Sequence, residues 1–238
     1  MARPLMRVLV TRPLDDALEI QILLAARGHE VVVAPLLRVE FRHGAEIDLT
    51  GVQAILATSA NGVRALARRT GRRDLPVFAV GPQTAQAARA LGFNQVRSAD
   101  GDAVALAQAV PSWTSPKAGP LLHAAGGDAP GKLADALTAS GFQVRSEILY
   151  DVIAVDELSA NATAEIVANR IDAVLLFSPR SARAFVQRLN EAGLTEHATR
   201  MIAGCISQAT ASALAPLTMK EVRIAVRPNQ ESLLNCLD

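Results

Sequence analysis

One order of elements occurs twice along this chain of 238 residues, and that repetition constrains the fold more than any other feature. An apolar run of three to six residues ends in a turn that carries a hydroxyl or amide side chain or a glycine, and the turn opens into a helical pattern. In the first half, residues 8–10 lead through Thr11, Arg12 and Pro13 to a helix closed by Gly28. Residues 54–57 lead through Thr58, Ser59 and Asn61 to a second helix, and residues 77–80 lead through Gly81 and Thr84 to a third, closed by Gly92. Residues 96–110 complete the half. After a stretch of Pro, Ser and Gly at 111–120 the series restarts: 121–125 through Gly126 to a helix closed by Gly141, 173–177 through Ser178 and Ser181, 201–206 through Ser207 and Thr210, and finally 222–237. Counterparts lie 113 residues apart for Gly28 and Gly141, 119 for Ser59 and Ser178, and 126 for Thr84 and Thr210, the pattern of a duplication in which two loops have lengthened.

Short apolar runs alternating with helical patterns predict parallel-sheet α/β units. Two segments are too long for that scheme: 30–42 and 143–155 each favour an extended chain over about thirteen residues, where a strand has about five or six. They are expected to leave one domain and enter the other, so that the first strand-helix-strand unit of each repeat packs with the later units of the opposite repeat. Two contiguous lobes split near Pro116 remain the rival arrangement. Crossing would gather the carboxyl ends of both sheets around one cleft, where open α/β sheets bind ligands. The polar turns then acquire two readings. Ser, Thr and Asn at helix starts cap orphan amides, and uncapped amides there bind anions.

Composition narrows the function classes. Half the chain is hydrophobic, enough for one large core or two small ones. A formal net charge of +1 with one Trp and one Tyr supplies neither a basic footprint nor a stacking platform, which argues against nucleic acid. Lys117, Lys132 and Lys220 are the lysines among 24 basic residues; the rest are Arg, suited to bidentate carboxylate binding. Cys205 and Cys236 form no framework or metal spacing, and no run approaches a signal peptide or membrane span, so a cytoplasmic protein is expected. His29, His43, His123 and His197 show no paired spacing for a metal and read as surface or loop residues. Gly126 to Lys132 matches most of a phosphate-binding loop, yet Leu133 stands where the Mg²⁺-binding hydroxyl belongs, and Pro130 removes an amide. A looser anion contact by Lys132 stays open. Tyr150, in the second long segment, either packs at the hinge or offers a phenol to a departing hydroxyl.

Taken in order, 8–13, 58–63, 80–85, the Gly126 turn with 141–150, 177–179, and Thr210-Ala211 with Pro228 resemble the uroporphyrinogen-III synthase family along essentially the whole chain. Two positions depart from it: Ala125, where the family often has Arg, and Ser207, where it often has Gly. The resemblance implies two similar doubly wound, flavodoxin-like parallel-sheet domains joined by a two-stranded antiparallel β linker. Residues 1–38 plus 153–238 would form one domain and 39–152 the other, with the active-site cleft between them. It implies a cyclising hydro-lyase needing no cofactor and no metal, which closes hydroxymethylbilane to uroporphyrinogen III with inversion of ring D and loss of water in haem biosynthesis. Tyr150 is the candidate acid. Thr11, Arg12, Ser59, Asn61, Gly81, Thr84, Gly126, Lys132, Ser178, Arg180, Ser181, Ser207 and Thr210 are the candidates for holding the substrate's carboxylates. The expected partners are the linear tetrapyrrole and, transiently, the preceding pathway enzyme, with the chain itself a monomer. A two-lobed, non-enzymatic binding or sensor protein for a small anionic ligand is the alternative that the same turns would suit.

Overall fold

The computed structural model describes residues 5–127 and 131–238. From the amino end the elements run β1 (Arg7–Val10), α1 (Leu14–Ala26), β2 (Glu30–Val33), β3 (Leu37–Phe41), β4 (Ala54–Ala57), α2 (Ala60–Ala67), β5 (Val77–Ala79), α3 (Pro82–Ala90), β6 (Val96–Ser98) and α4 (Ala103–Trp113). They continue with β7 (Leu121–Gly126), α5 (Gly131–Ala139), β8 (Val144–Ala154), α6 (Ala160–Val167), β9 (Ala173–Leu176), α7 (Pro179–Glu191), β10 (Ile202–Cys205), α8 (Gln208–Ser212), β11 (Glu221–Ile224) and α9 (Gln230–Leu234). The chain divides into two compact units, residues 1–38 with 153–238 and residues 39–152.

The first unit holds a five-stranded sheet in the order β11-β10-β9-β1-β2, parallel at each pairing. After Arg7, strands β1, β9 and β10 consist of small and aliphatic residues, all of them buried, because helices lie against the sheet. Ile20 and Leu24 of α1 and Leu233 and Leu234 of α9 pack with Val8, Val10 and Leu175 in one core, each large side chain removed from water contributing about 1.5–3 kcal/mol. Glu165 of α6 ties that helix to the start of β1: hydrogen bonds from Arg170 and Arg7 hold its carboxyl down at about 2.

The second unit holds the order β3-β8-β7-β4-β5-β6. Residues of β4 alternate between two cores. Ile55 and Ala57 face α2 and α3 (Val63, Leu66, Ala88), whereas Ala54 and Leu56 face α4 and α5 (Leu106, Val110, Leu133, Leu137). Both faces are covered, which is the doubly wound arrangement. In each unit a strand-helix-strand pair from one repeat adds to three strands of the other: β1 and β2 join β9 to β11, while β7 and β8 join β4 to β6.

The two long segments differ from one another. Residues 143–155 form the single eleven-residue strand β8, but 30–42 breaks into β2 and β3 around Ala34-Pro35-Leu36. Pro35 has no N–H for a ladder, so the strand cannot run on through it. β3 and β8 are neighbours, and bonds from the Arg42 N–H to the Leu149 carbonyl and from the Val155 N–H to the Leu36 carbonyl give an antiparallel register.

The histidine expectation needs correction. His29 and His123 are buried, at 5% and 1% exposure: His29 immediately precedes β2 and accepts the Met6 N–H on Nδ1, and His123 sits inside the apolar strand β7.

Candidate functional site

The turn after β4 builds the best-defined polar cluster. Ser59 takes an extended backbone and caps α2, its Oγ accepting the Gly62 N–H at 3.0 Å. The Tyr150 hydroxyl lies 2.7 Å from the same oxygen. Tyr150 reaches it through a bulge: Ala125 pairs with Ile148 but Gly126 pairs with Tyr150, leaving Leu149 extra. Strict alternation would put Leu149 and Tyr150 on opposite faces. The bulge lets both enter the core beside α2 and α3, as such irregularities re-aim side chains.

Gly126 completes the contact, since a Cβ there would stand 2.8 Å from the Tyr150 Cζ and 3.0 Å from its oxygen. The next glycine, Gly127, donates its N–H to the Tyr150 carbonyl at 3.0 Å and lies against the Asp151 carboxylate. Arg42 grips that carboxylate with two bonds, 2.7 and 2.9 Å, pulling the Asp151 carboxyl below its ordinary range. On the other face of the sheet, His123 places Nε2 3.3 Å from the Thr58 hydroxyl. Burial lowers the His123 pKa, which keeps the ring neutral.

Ser59 has one donor and two acceptor positions, and the Gly62 N–H occupies one acceptor. If Ser59 donates to the phenol oxygen, the tyrosine proton is left for another acceptor. A phenolate formed on giving up that proton would then face a hydroxyl donor at the start of an eight-residue helix, whose end carries partial positive charge.

The remaining expected residues fall into two groups. Thr11, Thr84, Ser181 and Thr210 are buried. Thr11 donates to the Leu175 carbonyl at 2.7 Å, tying β1 to β9, while Pro13 precedes α1 without a side-chain cap. Ser178 and Ser181 form a reciprocal capping box at α7, and Ser207 caps α8 with its Oγ 3.0 Å from that of Thr210. Arg12, Asn61, Gly81, Gly126, Ser178, Arg180 and Ser207 are partly exposed, and Lys132 is exposed in the first turn of α5. Arg12 pairs with Asp16 at 2.8 Å and lies over the Phe177 ring, and Asn61 accepts from Arg64. Gly81 starts α3 with no side-chain cap, where its counterpart Ser207 has one. Pro130, expected to remove an amide from the glycine turn, lies outside the described residues.

Spacing gave no sign of the Arg42–Asp151 pair, whose members are 109 residues apart. His123 did leave a sign: a histidine inside a run that reads as a buried parallel strand must itself be buried. A surface depression lined by Glu46, Asp48, Thr70 and Arg72 lies by the amino end of β4, away from the carboxyl ends where α/β sheets hold ligands. Among the described residues, no group of three or more His, Cys, Asp or Glu could hold a metal ion, and no helix is long and apolar enough to cross a membrane.

Comparison with known proteins converges on one family. A family model described as "Uroporphyrinogen-III synthase HemD" matches residues 19–235. Among solved structures, the uroporphyrinogen-III synthetase of Helicobacter pylori aligns with a TM-score of 0.65 at 16% identity, covering 97% of each chain. A mutant uroporphyrinogen III synthase of the extremely thermophilic bacterium Thermus thermophilus aligns with a TM-score of 0.50 at 18% identity, covering 97% of this chain and 96% of that one. No curated protein sequence matches.

Proposed function

Because the chain belongs to the uroporphyrinogen-III synthase family, we propose that it is the cyclising hydro-lyase that converts hydroxymethylbilane to uroporphyrinogen III, with Tyr150 as the acid. The reaction needs no strong nucleophile and, in this reading, no cofactor. The substrate loses its hydroxyl as water to give an electrophilic azafulvene. Ring D attacks through its substituted carbon to form a spiro intermediate, which reopens and closes inverted. Tyr150 gives a proton to the departing hydroxyl. A proton is returned when the last carbon to close the macrocycle loses its own, so the enzyme ends as it began.

The observation that carries this reading is the 2.7 Å contact between the phenol and Ser59, beside a glycine turn and at a helix start. Discrimination against closure through the unrearranged carbon falls to positioning, which can contribute about 7–11 kcal/mol. The free amides at the helix starts that follow Gly81, Ser59, Ser178 and Ser207, and the cations Arg12, Lys132 and Arg180, are proposed to hold the side-chain carboxylates. The buried Thr11, Thr84, Ser181 and Thr210 support these turns from behind. We place the enzyme in the cytoplasm as a monomer, in keeping with its two free cysteines, and in transient contact with the preceding pathway enzyme.

The test is consumption of substrate. Purified protein, freed of metals by chelation and dialysis and given no cofactor, should make freshly generated hydroxymethylbilane disappear at least about tenfold faster than its spontaneous loss. Disappearance at the spontaneous rate contradicts the reading.

A further inference from the structure

His123 lies outside the acid-and-positioning scheme above, yet it is a buried titratable side chain beside the same turn. At 1% exposure it sits in β7 between Leu56 of β4 and Ser146 of β8. One ring nitrogen, Nε2, meets the Thr58 hydroxyl; the other, Nδ1, is buried without a hydrogen-bond partner among the described residues. A leucine would fill this strand position without any polar cost, and the ring's one polar contact is made through Nε2.

The proton can be on either nitrogen, and the two choices are unequal. On Nδ1 it would be an orphaned buried N–H, among the rarest features of folded proteins, whereas a bare acceptor there is better tolerated. On Nε2 it finds Thr58. Thr58 has one donor and two acceptor positions, so receiving the Nε2–H leaves its own hydrogen to be given elsewhere. Thr58 is only half-buried and immediately precedes Ser59. We infer that His123 is a positioning residue that holds its proton on Nε2 and thereby makes the Thr58 hydroxyl a dedicated donor to a carboxylate of the linear tetrapyrrole. This rests on the function proposed above. Two neighbouring hydroxyls would then be set in their roles from opposite faces of one sheet, Ser59 with Tyr150 from the α2 and α3 side and Thr58 with His123 from the other.

Two measurements decide it. Long-range ¹H–¹⁵N correlation spectra of the wild-type protein, with the His123 signals assigned by their loss in His123→Gln, should show the Nε2–H tautomer; the Nδ1–H tautomer overturns the inference. In steady-state kinetics, His123→Leu should raise KM about tenfold with kcat little changed, the size expected for losing one hydrogen bond to a charged group. Thr58→Val should do the same, and the double variant should be no worse than either single one. His123→Gln, whose amide nitrogen can still donate to Thr58, should restore a near wild-type KM. Additive effects, an unchanged KM in His123→Leu, or no rescue by Gln overturn it. Should the wild-type protein form no rearranged product, the proposed function fails, and the tautomer spectrum still decides the His123 assignment by itself.

Discussion

Tyr150→Phe is expected to slow turnover about a hundredfold, the lower end of what a positioned general acid contributes, while substrate affinity changes little. The ring stays. Its packing over Gly126 and its place beside Leu149 in the core depend on carbon atoms that Phe keeps. What is lost is the oxygen 2.7 Å from Ser59 and the proton it carries. Ser59 still accepts the Gly62 N–H, so the cap of α2 survives and the stability loss should be about 1 kcal/mol. Single-turnover rates and substrate affinity, measured separately, check the split. A rate equal to wild type would return Tyr150 to packing, and a large loss of affinity would make it a binding group.

The second large effect concerns stability. Gly62→Ala should lower the unfolding free energy by about 2 kcal/mol, roughly 4–8 °C in Tm for a chain of this size. On propensity alone the change should help, because Ala is preferred to Gly inside a helix by about 1 kcal/mol. Space decides otherwise: a Cβ at Gly62 would stand 2.5 Å from the Ala124 carbonyl oxygen, which belongs to the backbone of β7 and cannot rotate away. Either α2 lifts from the sheet or β7 bends. Gly71→Ala is the control, having nothing within 4 Å and no left-handed backbone, and should be near neutral. Calorimetry of the two variants beside the wild type checks the claim; equal midpoints would mean that the α2–β7 approach is softer than its geometry implies.

Much of the fold was legible in the sequence because the physics behind it is local. Runs such as Ala54–Ala57 are apolar at every position since both faces of a central parallel strand are covered, and glycines such as Gly28, Gly92 and Gly141 close helices where φ is positive. The repeat offsets extended that reading to long range. Legibility stopped where a side chain's role depends on a distant neighbour. Thr11 reads from its position as a helix-start hydroxyl, but its partner is the carbonyl of Leu175. The bulge at Leu149 leaves no mark, since Ile148, Leu149 and Tyr150 would suit a regular strand equally well. Arg42 and Asp151 meet only because β3 and β8 are neighbours. The Pro35 break was readable in principle, but extended-favouring residues on both sides of it masked the stop.

The identity of the product separates a ring-inverting synthase from a mere dehydrating catalyst, because loss of the hydroxyl alone does not require ring D to turn over. Hydroxymethylbilane generated in place and incubated with the purified protein, followed by oxidation and separation of the porphyrin isomers, should give predominantly isomer III, with isomer I confined to the level of spontaneous closure. Isomer I alone, at the spontaneous rate, would contradict the account.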